Sequence, residues 1–496
     1  MEPKLDDLLE VLKKNYDKPD LDFIRKVYDF AAAAHRGQKR LTGSDYIVHP
    51  TATAIKLAEM RLDLPIVAAG LLHDVPEDTP RTLEDVREHF GDDIASMVEG
   101  VTKLEKVRYR GLERYAENLR KMFVAMASDI RVVFIKFCDR LHNMETLYII
   151  PERKRERIAK EVLEIYAPVA HRLGMGEIRG QLEDFAFRYV YPKEYQWVKG
   201  LVEKKTTEKE EYLNDIISKA QKTVLKSGIQ TASVHGRLKH LFSLYKKLLR
   251  FERDINKVHD LIAVRVIVND VADCYAALGI LHQLWRPLAG RIKDYIAQPK
   301  PNGYQSLHTT VFADNGQIVE FQIRTPQMHE RAEYGIASHW QYKEADKKTK
   351  QIAWVEELAK IQKELSATPD FMTRLDEMKL DMFQGRIFVF TPRGDVIDLP
   401  DGSTPVDFAY AIHSDIGNKC VGARLNDQIS NLDQELKSGD MCEIVLDKRR
   451  KGPNPDWLKF VKTSHARDHI RTQTKRSVKN WLSTVVRSEK ETKKRK

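Results

Sequence analysis

The chain is poor in cysteine and has no cysteine pair. Its 496 residues include only Cys138, Cys274, Cys420 and Cys442, scattered singly. Without a Cys-x-x-Cys spacing there is no zinc ribbon, and no disulfide framework is expected, as befits a reducing compartment. Long apolar runs are missing as well. The best, Leu64 to Leu72, falls far short of the ~20 residues of a membrane span, so no membrane partner is expected. The opening Met1-Glu-Pro-Lys-Leu-Asp-Asp lacks the basic and apolar regions of a secretion signal. No Gly-x-x-x-x-Gly-Lys-Ser/Thr loop occurs, which excludes the P-loop route to nucleotides. Gly174-Met-Gly176 does not complete a dinucleotide fingerprint, because the next glycine falls at Gly180. A soluble cytoplasmic protein is the expectation.

Charge and apolar content are plentiful. Hydrophobic residues make up 42% and charged residues 31%, enough to bury real cores. At ~150 residues per domain, the length suggests roughly three domains. The net charge of +10 is unevenly spread. Residues 447–496 carry 17 Lys and Arg against 5 Asp and Glu, a net +12, so the preceding body nets −2. An anionic partner is therefore expected for the C-terminal segment alone.

The first ~195 residues read as helices, with apolar spacing in Leu5-Leu8-Leu9-Leu12, Phe23-Val27-Phe30 and Val132 to Leu147. The pattern changes near Ile229. Leu261 to Val268, Thr309 to Phe312 and Ile318 to Ile323 read as strands, the last two separated by the turn Asp314-Asn-Gly316. Ala272 to Leu284 reads as a helix between them, giving an α+β block with a mixed or antiparallel sheet. Residues 346–384 read as charged helix and linker. From Arg386 a compact β-rich unit begins, with Ile387 to Phe390, Val396 to Leu399 and Cys442 to Leu446 as strands.

Two constellations carry chemistry. His49, His73, Asp74 and Asp139 offer two imidazoles and two carboxylates, a set that suits Mn²⁺ or a similar ion with open positions for water. Such an ion lowers the pKa of bound water to about 7. Glu77 and Asp78 lie one turn beyond Asp74 and are placed to orient that water if the helix continues. A His-Asp dipeptide alone means little, and His49 before Pro50 serves equally as a helix cap; agreement among three separated segments favours the metal. The second constellation crowds Arg237, Lys239, His240, Lys246 and Lys247 ahead of Asp260 and Glu320 on neighbouring strands. Cations for phosphates and carboxylates for Mg²⁺ are the requirements of triphosphate chemistry. Asn302-Gly-Tyr-Gln-Ser306 adds a glycine turn beside an aromatic able to stack on a base. Lys and Arg on a helix are usually a solvated face, and Asp260 also suits a strand cap. Glu320 is the more telling, since a carboxylate in an apolar strand is costly to bury without a cation.

These segments resemble the RelA/SpoT homologues. The matching text is Ala34-His-Arg-Gly-Gln-Lys-Arg40, Tyr46-Ile-Val-His-Pro50, His73-Asp-Val-Pro-Glu-Asp-Thr79, Asp139-Arg-Leu-His-Asn-Met144, Gly236-Arg-Leu-Lys-His240, Asp260-Leu-Ile-Ala-Val-Arg265, Gly290-Arg-Ile-Lys-Asp-Tyr295, Asn302-Gly-Tyr-Gln-Ser-Leu-His308 and Glu320-Phe-Gln-Ile-Arg-Thr325. Arg386 to Leu446 resembles a TGS domain. The resemblance reaches about residue 475, without the zinc-finger and ACT modules of long members. It implies a multidomain chain: an all-α HD hydrolase domain (1–155), a helical linker (156–195), an α+β nucleotidyltransferase-like synthetase domain (196–345), a second helical linker (346–384), a β-grasp TGS domain (385–447) and a basic tail (448–496).

The implied enzyme acts in the stringent response and has two opposed activities on the alarmones ppGpp and pppGpp. As a GTP/GDP diphosphokinase it would move pyrophosphate from ATP to the 3′-hydroxyl of GDP or GTP, releasing AMP. As a 3′-diphosphatase it would hydrolyse (p)ppGpp to GDP or GTP and pyrophosphate. The resemblance implies Mn²⁺ on His49, His73, Asp74 and Asp139, with Glu77 and Asp78 assisting water, and substrate contacts from Arg40, Asn143 and Thr146. It likewise implies Mg²⁺ on Asp260 and Glu320, with Glu320 activating the 3′-hydroxyl. Arg237 and Arg265 would sandwich adenine and Tyr304 would stack on guanine. Lys239, Ser243, Lys247, Lys293, Lys300, Asn302, Gln305 and His308 would hold the remainder of the nucleotides.

Arg291-Ile-Lys293-Asp294 has the basic form associated with bifunctional members. His413 stands where the family meets the 3′ end of uncharged tRNA, and the tail's Trp457, Phe460, Trp481 and Lys493-Lys-Arg-Lys496 suit RNA, so ribosome and tRNA are expected partners; an oligomer is left open. Pro76, Leu41, Glu145 and Leu238 depart from common family residues. The rival readings are a hydrolase with a weak synthetase half and a ribosome- or tRNA-binding nucleotide sensor with degenerate catalysis.

Overall fold

The computed structural model describes residues 2–105, 121, 122, 125, 128–229, 231–255, 262–300, 302–341 and, apart from 394, 438, 448 and 451, residues 386–474. They fall into two compact units, Met1–Lys363 and Glu364–Lys496. The linker expected over 346–384 lies outside the described residues, as does the end of the tail from 475. No helix among the described residues is long and apolar enough to cross a membrane.

Up to Lys226 the described regular structure is helical, apart from one bridge between Lys39 and Asp45. Helix Leu64–Leu72 is buried on every side from Ile66 onward, so it forms the centre of the bundle rather than an amphipathic flank. Pro65 opens it where no backbone donor is needed. Helix Arg131–Glu145 is buried continuously from Val132 to Asp139. Both pack against helix Val48–Glu59. Thr82 and Asp85 cap helix Leu83–Phe90 reciprocally, each accepting a backbone donor of the first turn.

The condition that the helix continue from Asp74 into Glu77 and Asp78 is not met by one unbroken helix. The helix ends at Leu72, and Val75–Asp78 forms a separate turn with Pro76 near its start. Pro76 has no N–H to give the Leu72 carbonyl, so a new turn begins there instead. The boundaries expected at 155/156 and 195/196 fall inside continuous helices, Glu152–Glu161 and the 35-residue Pro192–Lys226. Helix gives way to sheet only at Thr231.

The sheet of the first unit runs β1 (Thr231–Leu238), β2 (Ile262–Val268), β6 (Ile318–Arg324), β5 (Leu307–Phe312), β3 (Arg286–Pro287), with β4 (Lys293–Asp294) also on β5. Only β2 and β6 pair in parallel, so the sheet is mixed, as the sequence pattern allowed. Alternation decides its two faces. Val264, Val266, Leu307, Val311, Val319, Phe321 and Ile323 point to a core completed by helices Pro192–Lys226 and Val271–Leu284. Each such side chain, fully buried, contributes about 1.5–3 kcal/mol. The intervening residues Arg265, His308, Thr310, Glu320, Gln322 and Arg324 alternate with these core positions along the same strands and therefore face the other way.

A seam joins this sheet to the helical bundle. The turn Leu173–Gly174 lies backbone to backbone against Gly335, with Ile336 donating to Leu173 O at 3.0 Å. A Cβ at Gly335, whose φ is +57°, would stand 2.1 Å from Leu173 O. Helix Gly176–Val190 runs from this turn and packs on both helix Arg131–Glu145 and helix Pro326–Tyr334.

In the second unit β7 (Arg386–Phe390) and β8 (Val396–Pro400) form a hairpin, while β10 (Gln428–Ser430), β9 (Cys420–Leu425) and β11 (Cys442–Leu446) form a sheet under helix Pro405–Ile412. A parallel bridge joins Phe390 to Met441. The expected basic tail begins as a docked segment. Trp457, Val461, Ala466 and Ile470 share a core with Val406, Ala409, Tyr410 and Cys420. The buried Asp407 carboxylate accepts from Lys462 N, Thr463 N and Thr463 Oγ1 as well as from Thr404. Trp457 is thus core, not a stacking platform for RNA, and Trp481 lies outside the described residues.

Replacing Gly335 by alanine is expected to destabilise the first unit by about 2 kcal/mol or more, since overpacking and the left-handed backbone add. Gly279, mid-helix with nothing within 4 Å, should gain about 0.5–1 kcal/mol from the same change. Thermal unfolding of both variants beside the parent checks the contrast.

Candidate functional site

The helical bundle brings His49, His73, Asp74 and Asp139 together. Helices Val48–Glu59 and Arg131–Glu145 supply His49 and Asp139, and the break after Leu72 supplies the other two. Ligand atoms of His49, His73 and Asp74 lie within 4.8 Å of one another. His49 Nε2 is 3.1 Å from Asp139 Oδ1 and 3.6 Å from Asp74 Oδ2; His73 Nε2 is 3.1 Å from Asp74 Oδ1. The outer nitrogens are engaged elsewhere, His49 Nδ1 with His142 Nδ1 at 2.7 Å and His73 Nδ1 with Gly70 O at 2.8 Å. Both rings therefore present Nε2 inward, and this converging N and O set fits a divalent cation.

Electrostatics agree with that role. Burial lowers the pKa of His49 and pushes that of His142 down to about 3, with His49 and Arg40 adding to the latter, so both rings are neutral. For Asp139, burial alone would raise the carboxyl, but Lys136 and the imidazoles outweigh it and hold it well below the usual carboxylate range. Lys136, itself 1% exposed, pairs with Asp139 Oδ2 at 2.7 Å. The metal cluster is linked to the substrate candidates. Asn143 Nδ2 donates to Asp139 Oδ1, and Arg40 donates to Asn143 Oδ1 at 3.0 Å. Thr146 caps the end of the same helix, its hydroxyl on His142 O at 3.2 Å. Asp78 accepts from the Tyr46 hydroxyl, whose oxygen also lies 3.1 Å from Asp74 Oδ2. Burial and these two carboxylates raise the Tyr46 pKa, so it stays a donor. Glu77 is the neighbour of Asp78 on the short turn.

Lys136, His142 and Tyr46 were not singled out from the sequence. Lys136 and His142 lie three residues either side of Asp139, on its helix face, so helical spacing alone could have found them. Among the residues departing from common family types, Glu145 pairs with Lys56 at 2.7 Å, and Leu41 and Leu238 are exposed.

The polar face of the six-stranded sheet and helix Gly176–Val190 enclose a second site. Arg237, Ser243, Lys300, Asn302 and Tyr304 line one cleft, together with Arg179, Glu183, His240, Arg324 and Glu333. Lys300 N donates to Tyr304 O at 3.1 Å, and Gly303 has φ +77°. Lys300 Nζ lies 4.6 Å from the Tyr295 ring centroid and 5.1 Å from that of Tyr304. Burial, then Lys293 and Arg179, push its pKa down to about 8. Arg265, 5% exposed, is held by Glu333 at 2.9 Å, and burial lowers its pKa to about 10. Glu320 Oε1 meets His308 Nδ1 at 3.3 Å and Gln322 Nε2 at 3.0 Å. Lys293 pairs in register with His308. Gln305 turns instead to Ile296 O at 3.3 Å. Lys239 and Lys247 flank the start and end of helix Leu241–Arg250, with Lys247 Nζ 6.0 Å from the Phe251 ring centroid. Asp260 lies outside the described residues.

Helix Gly176–Val190 contributes an acidic edge that the sequence patterns did not reveal. Glu183 holds Lys246 at 2.9 Å and Arg179 at 3.2 Å, and accepts from Ser243 at 3.4 Å. Asp184 accepts from Phe242 N and pairs with His240 Nδ1, both at 2.9 Å; Glu177 stands 3.7 Å from His240 Nε2. Burial would lower the His240 pKa, but these carboxylates outweigh it and push it up to about 9.

In the second unit, His413 is exposed at the start of helix Ser414–Lys419, its Nδ1 accepting from Asp415 N at 3.1 Å. Nearby His469 stacks on Tyr410 and reaches Ser414 Oγ at 3.2 Å.

Three family models match the chain. One described as HD domain covers residues 28–176, one described as a region found in RelA / SpoT proteins covers 236–347, and one described as TGS domain covers 387–446. The chain is 48% identical over 473 residues to a guanosine-3′,5′-bis(diphosphate) 3′-pyrophosphohydrolase of Aquifex aeolicus, covering 95% of this chain and 67% of that one. It is 47% identical over 461 residues to a GTP pyrophosphokinase of Myxococcus xanthus, covering 91% and 60%. It is 46% identical over 454 residues to the bifunctional (p)ppGpp synthase/hydrolase SpoT of Escherichia coli, covering 90% and 64%. The chain thus spans 60–67% of the length of these relatives.

His240 yields a pH test. A folded pKa raised from 6.5 to about 9 means the folded state holds a proton that the unfolded state loses in that window. This stability is fully present below pH 6.5 and is lost as pH rises through 9. Denaturant unfolding between pH 6 and 9.5 should show a loss of about 3 kcal/mol that His240→Gln removes.

Proposed function

The chain belongs to the RelA/SpoT family, and from that premise we propose that it both makes and destroys (p)ppGpp, at two separate sites. The observation that carries this reading is the coexistence, in one chain, of the His49–His73–Asp74–Asp139 cluster and the cation-lined cleft around Glu320. The names of the relatives, a hydrolase, a pyrophosphokinase and a bifunctional enzyme, support assigning both directions.

In hydrolysis the four-ligand cluster would hold Mn²⁺, which supplies Lewis-acid activation of water when bound. Arg40 and Asn143 orient the nucleoside end next to Asp139, with Thr146 beside them. Glu77 and Asp78 take the proton of the attacking water, Asp78 fixed by Tyr46. The bond from the 3′-oxygen to phosphorus breaks, leaving GDP or GTP and pyrophosphate.

In synthesis Glu320 accepts the proton of the 3′-hydroxyl, whose oxygen attacks the β-phosphorus of ATP. The bond to the α-phosphate oxygen breaks and AMP leaves. Arg237 and Arg265 hold adenine and Tyr304 the acceptor guanine. Lys239, Ser243, Lys247, Lys293, Lys300, Asn302, Gln305 and His308 take the phosphates and ribose, where neutralising charge in a dry cleft is the main contribution. Mg²⁺ would sit on Glu320 and Asp260. The division into hydrolase, linker, synthetase, linker, TGS and C-terminal basic segment keeps the two chemistries apart. Uncharged tRNA and the ribosome are the partners assigned to His413 and the basic segment, and nucleotide substrates place the protein in the cytoplasm.

Two assays on the chain test this: ATP plus GDP with Mg²⁺, read as AMP, and ppGpp with Mn²⁺, read as pyrophosphate. Glu320→Gln is expected to abolish synthesis and spare hydrolysis, and Asp74→Asn the reverse, with Mn²⁺ binding lost in calorimetry. Loss of both activities by either change would contradict separate sites, and no turnover in either assay would leave only nucleotide binding.

A further inference from the structure

Glu320 stands in a closed circuit of polar contacts on the polar side of β5 and β6, hydrogen bonds except for the ion-pair contact between His308 and Glu320. Its Oε1 meets Gln322 Nε2 at 3.0 Å and His308 Nδ1 at 3.3 Å. His308 Nε2 meets the Tyr304 hydroxyl at 2.7 Å. Arg324 Nη2 closes the ring, lying 3.2 Å from the Tyr304 oxygen and 2.8 Å from Gln322 Oε1. Residues 320, 322 and 324 alternate along one strand, so one face carries all three.

Arg324 gives the circuit a direction. A guanidinium can only donate. The Tyr304 oxygen therefore accepts from it, and the single Tyr304 proton is left for His308 Nε2. That nitrogen becomes an acceptor, so a neutral His308 carries its proton on Nδ1, the nitrogen 3.3 Å from Glu320 Oε1. On the other branch Arg324 takes the Gln322 carbonyl, which turns the Gln322 amide N–H toward the same Glu320 oxygen. Both branches thus turn an N–H group toward Oε1, Gln322 in a hydrogen bond and His308 in close contact, the arrangement that keeps a carboxylate ionised and fixed in rotation.

The cost of the arrangement is considerable. Arg324 is fully buried and makes no ion pair among the described residues, while its Nε and Nη1 have no hydrogen-bond partner among them. A buried cation without a carboxylate is expensive, and a shape-filling apolar residue would be more stable here. Burial and Arg237 lower its pKa, while Tyr304 and Glu333 oppose them.

We propose that Arg324 is a positioning residue for synthesis, setting the tautomer of His308 and the amide of Gln322 so that Glu320 is held as the base. Through Tyr304 the same circuit ties guanine stacking to the state of that base, so an acceptor seated on Tyr304 meets a ready carboxylate. This rests on the reading of Glu320 as the synthetase base, but the circuit itself is measurable without turnover.

The test combines ring-nitrogen NMR of ¹⁵N-histidine-labelled protein, the His308 signals assigned by their loss in His308→Gln, with steady-state kinetics. In the parent, His308 is expected to be protonated at Nδ1 and bare at Nε2. In Arg324→Met, with the fold checked by thermal unfolding and by unchanged ppGpp hydrolysis, that preference should be lost. The kcat for AMP formation should fall about 10- to 100-fold, the usual cost of removing a group that orients a working side chain, with KM for GDP changed far less. Arg324→Lys should restore part of kcat. If Arg324→Met does not fold, Tyr304→Phe, which removes the same hydroxyl, is expected to give the same tautomer loss. Protonation at Nε2 in the parent, an unchanged His308 tautomer in these variants, or an altered tautomer with unchanged kcat would each overturn the proposal. A parent that makes no ppGpp would sink the synthetase reading, while the NMR signals would still decide the circuit.

Discussion

The close approach of Gly335 to the turn Leu173–Gly174 is the constraint on which the first unit depends. Three main-chain segments meet there without side chains between them: Leu173–Gly174, Asn302 and Gly335. Any Cβ at Gly335 would occupy the space of a carbonyl oxygen, so the contact exists only with glycine. Because helix Gly176–Val190 starts from this turn, its register is set by the seam. Glu177, Glu183 and Asp184 then reach the cleft, where they hold His240, Lys246 and Arg179. The same helix packs on Arg131–Glu145, which carries Asp139. One helix therefore touches the elements that build both candidate sites.

Each site buries charge and balances it locally. In the bundle, Asp139 is shared between Lys136 and His49, and burial lowers the pKa of His49 and His142. In the cleft, cations outnumber their carboxylates. Lys300 and Arg265 have lowered pKa values, and Arg324 donates only to neutral acceptors among the described residues. Such an excess is costly in the empty protein and favourable once a polyphosphate enters. The bundle is arranged for a metal cation and the cleft for anions, so the two sites have opposite electrostatic demands within one unit. The second unit follows another rule. Its central Asp407 is satisfied by backbone donors and hydroxyls rather than cations, a structural use of a carboxylate.

The helical first part, the strands of the middle block and the β-rich last unit were legible because periods of 3.6 and 2 are local properties of the chain. The metal cluster was legible because each of its members sits in a recognisable short segment. Lys136, His142, Gln322 and Arg324 were missed although helical or strand spacing from Asp139 and Glu320 places them on the same faces. Their types are not diagnostic, since lysine and arginine are usually solvated. Asp184 had no local signal, because it acts on His240 and Phe242 more than fifty positions away, and Glu183 offered only its i, i+4 spacing from Arg179. Trp457 was grouped with the tail's cations as suiting RNA, because composition there is dominated by Lys and Arg and says nothing of the few apolar side chains that dock.

The amino-acid sequence by itself determined the order of domains, the alternation that gives the sheet one apolar and one ionised face, and the residue types each chemistry requires. Pro76 likewise sets the break after Leu72, since a missing N–H is a covalent fact. Only the tertiary structure decided which charges neutralise one another. That depends on desolvation and on distances across elements far apart in the chain, and neither is a property of neighbours in sequence. The direction of the circuit around Glu320 is of this kind: it follows from a buried guanidinium that can only donate, placed by the fold beside a tyrosine twenty residues away.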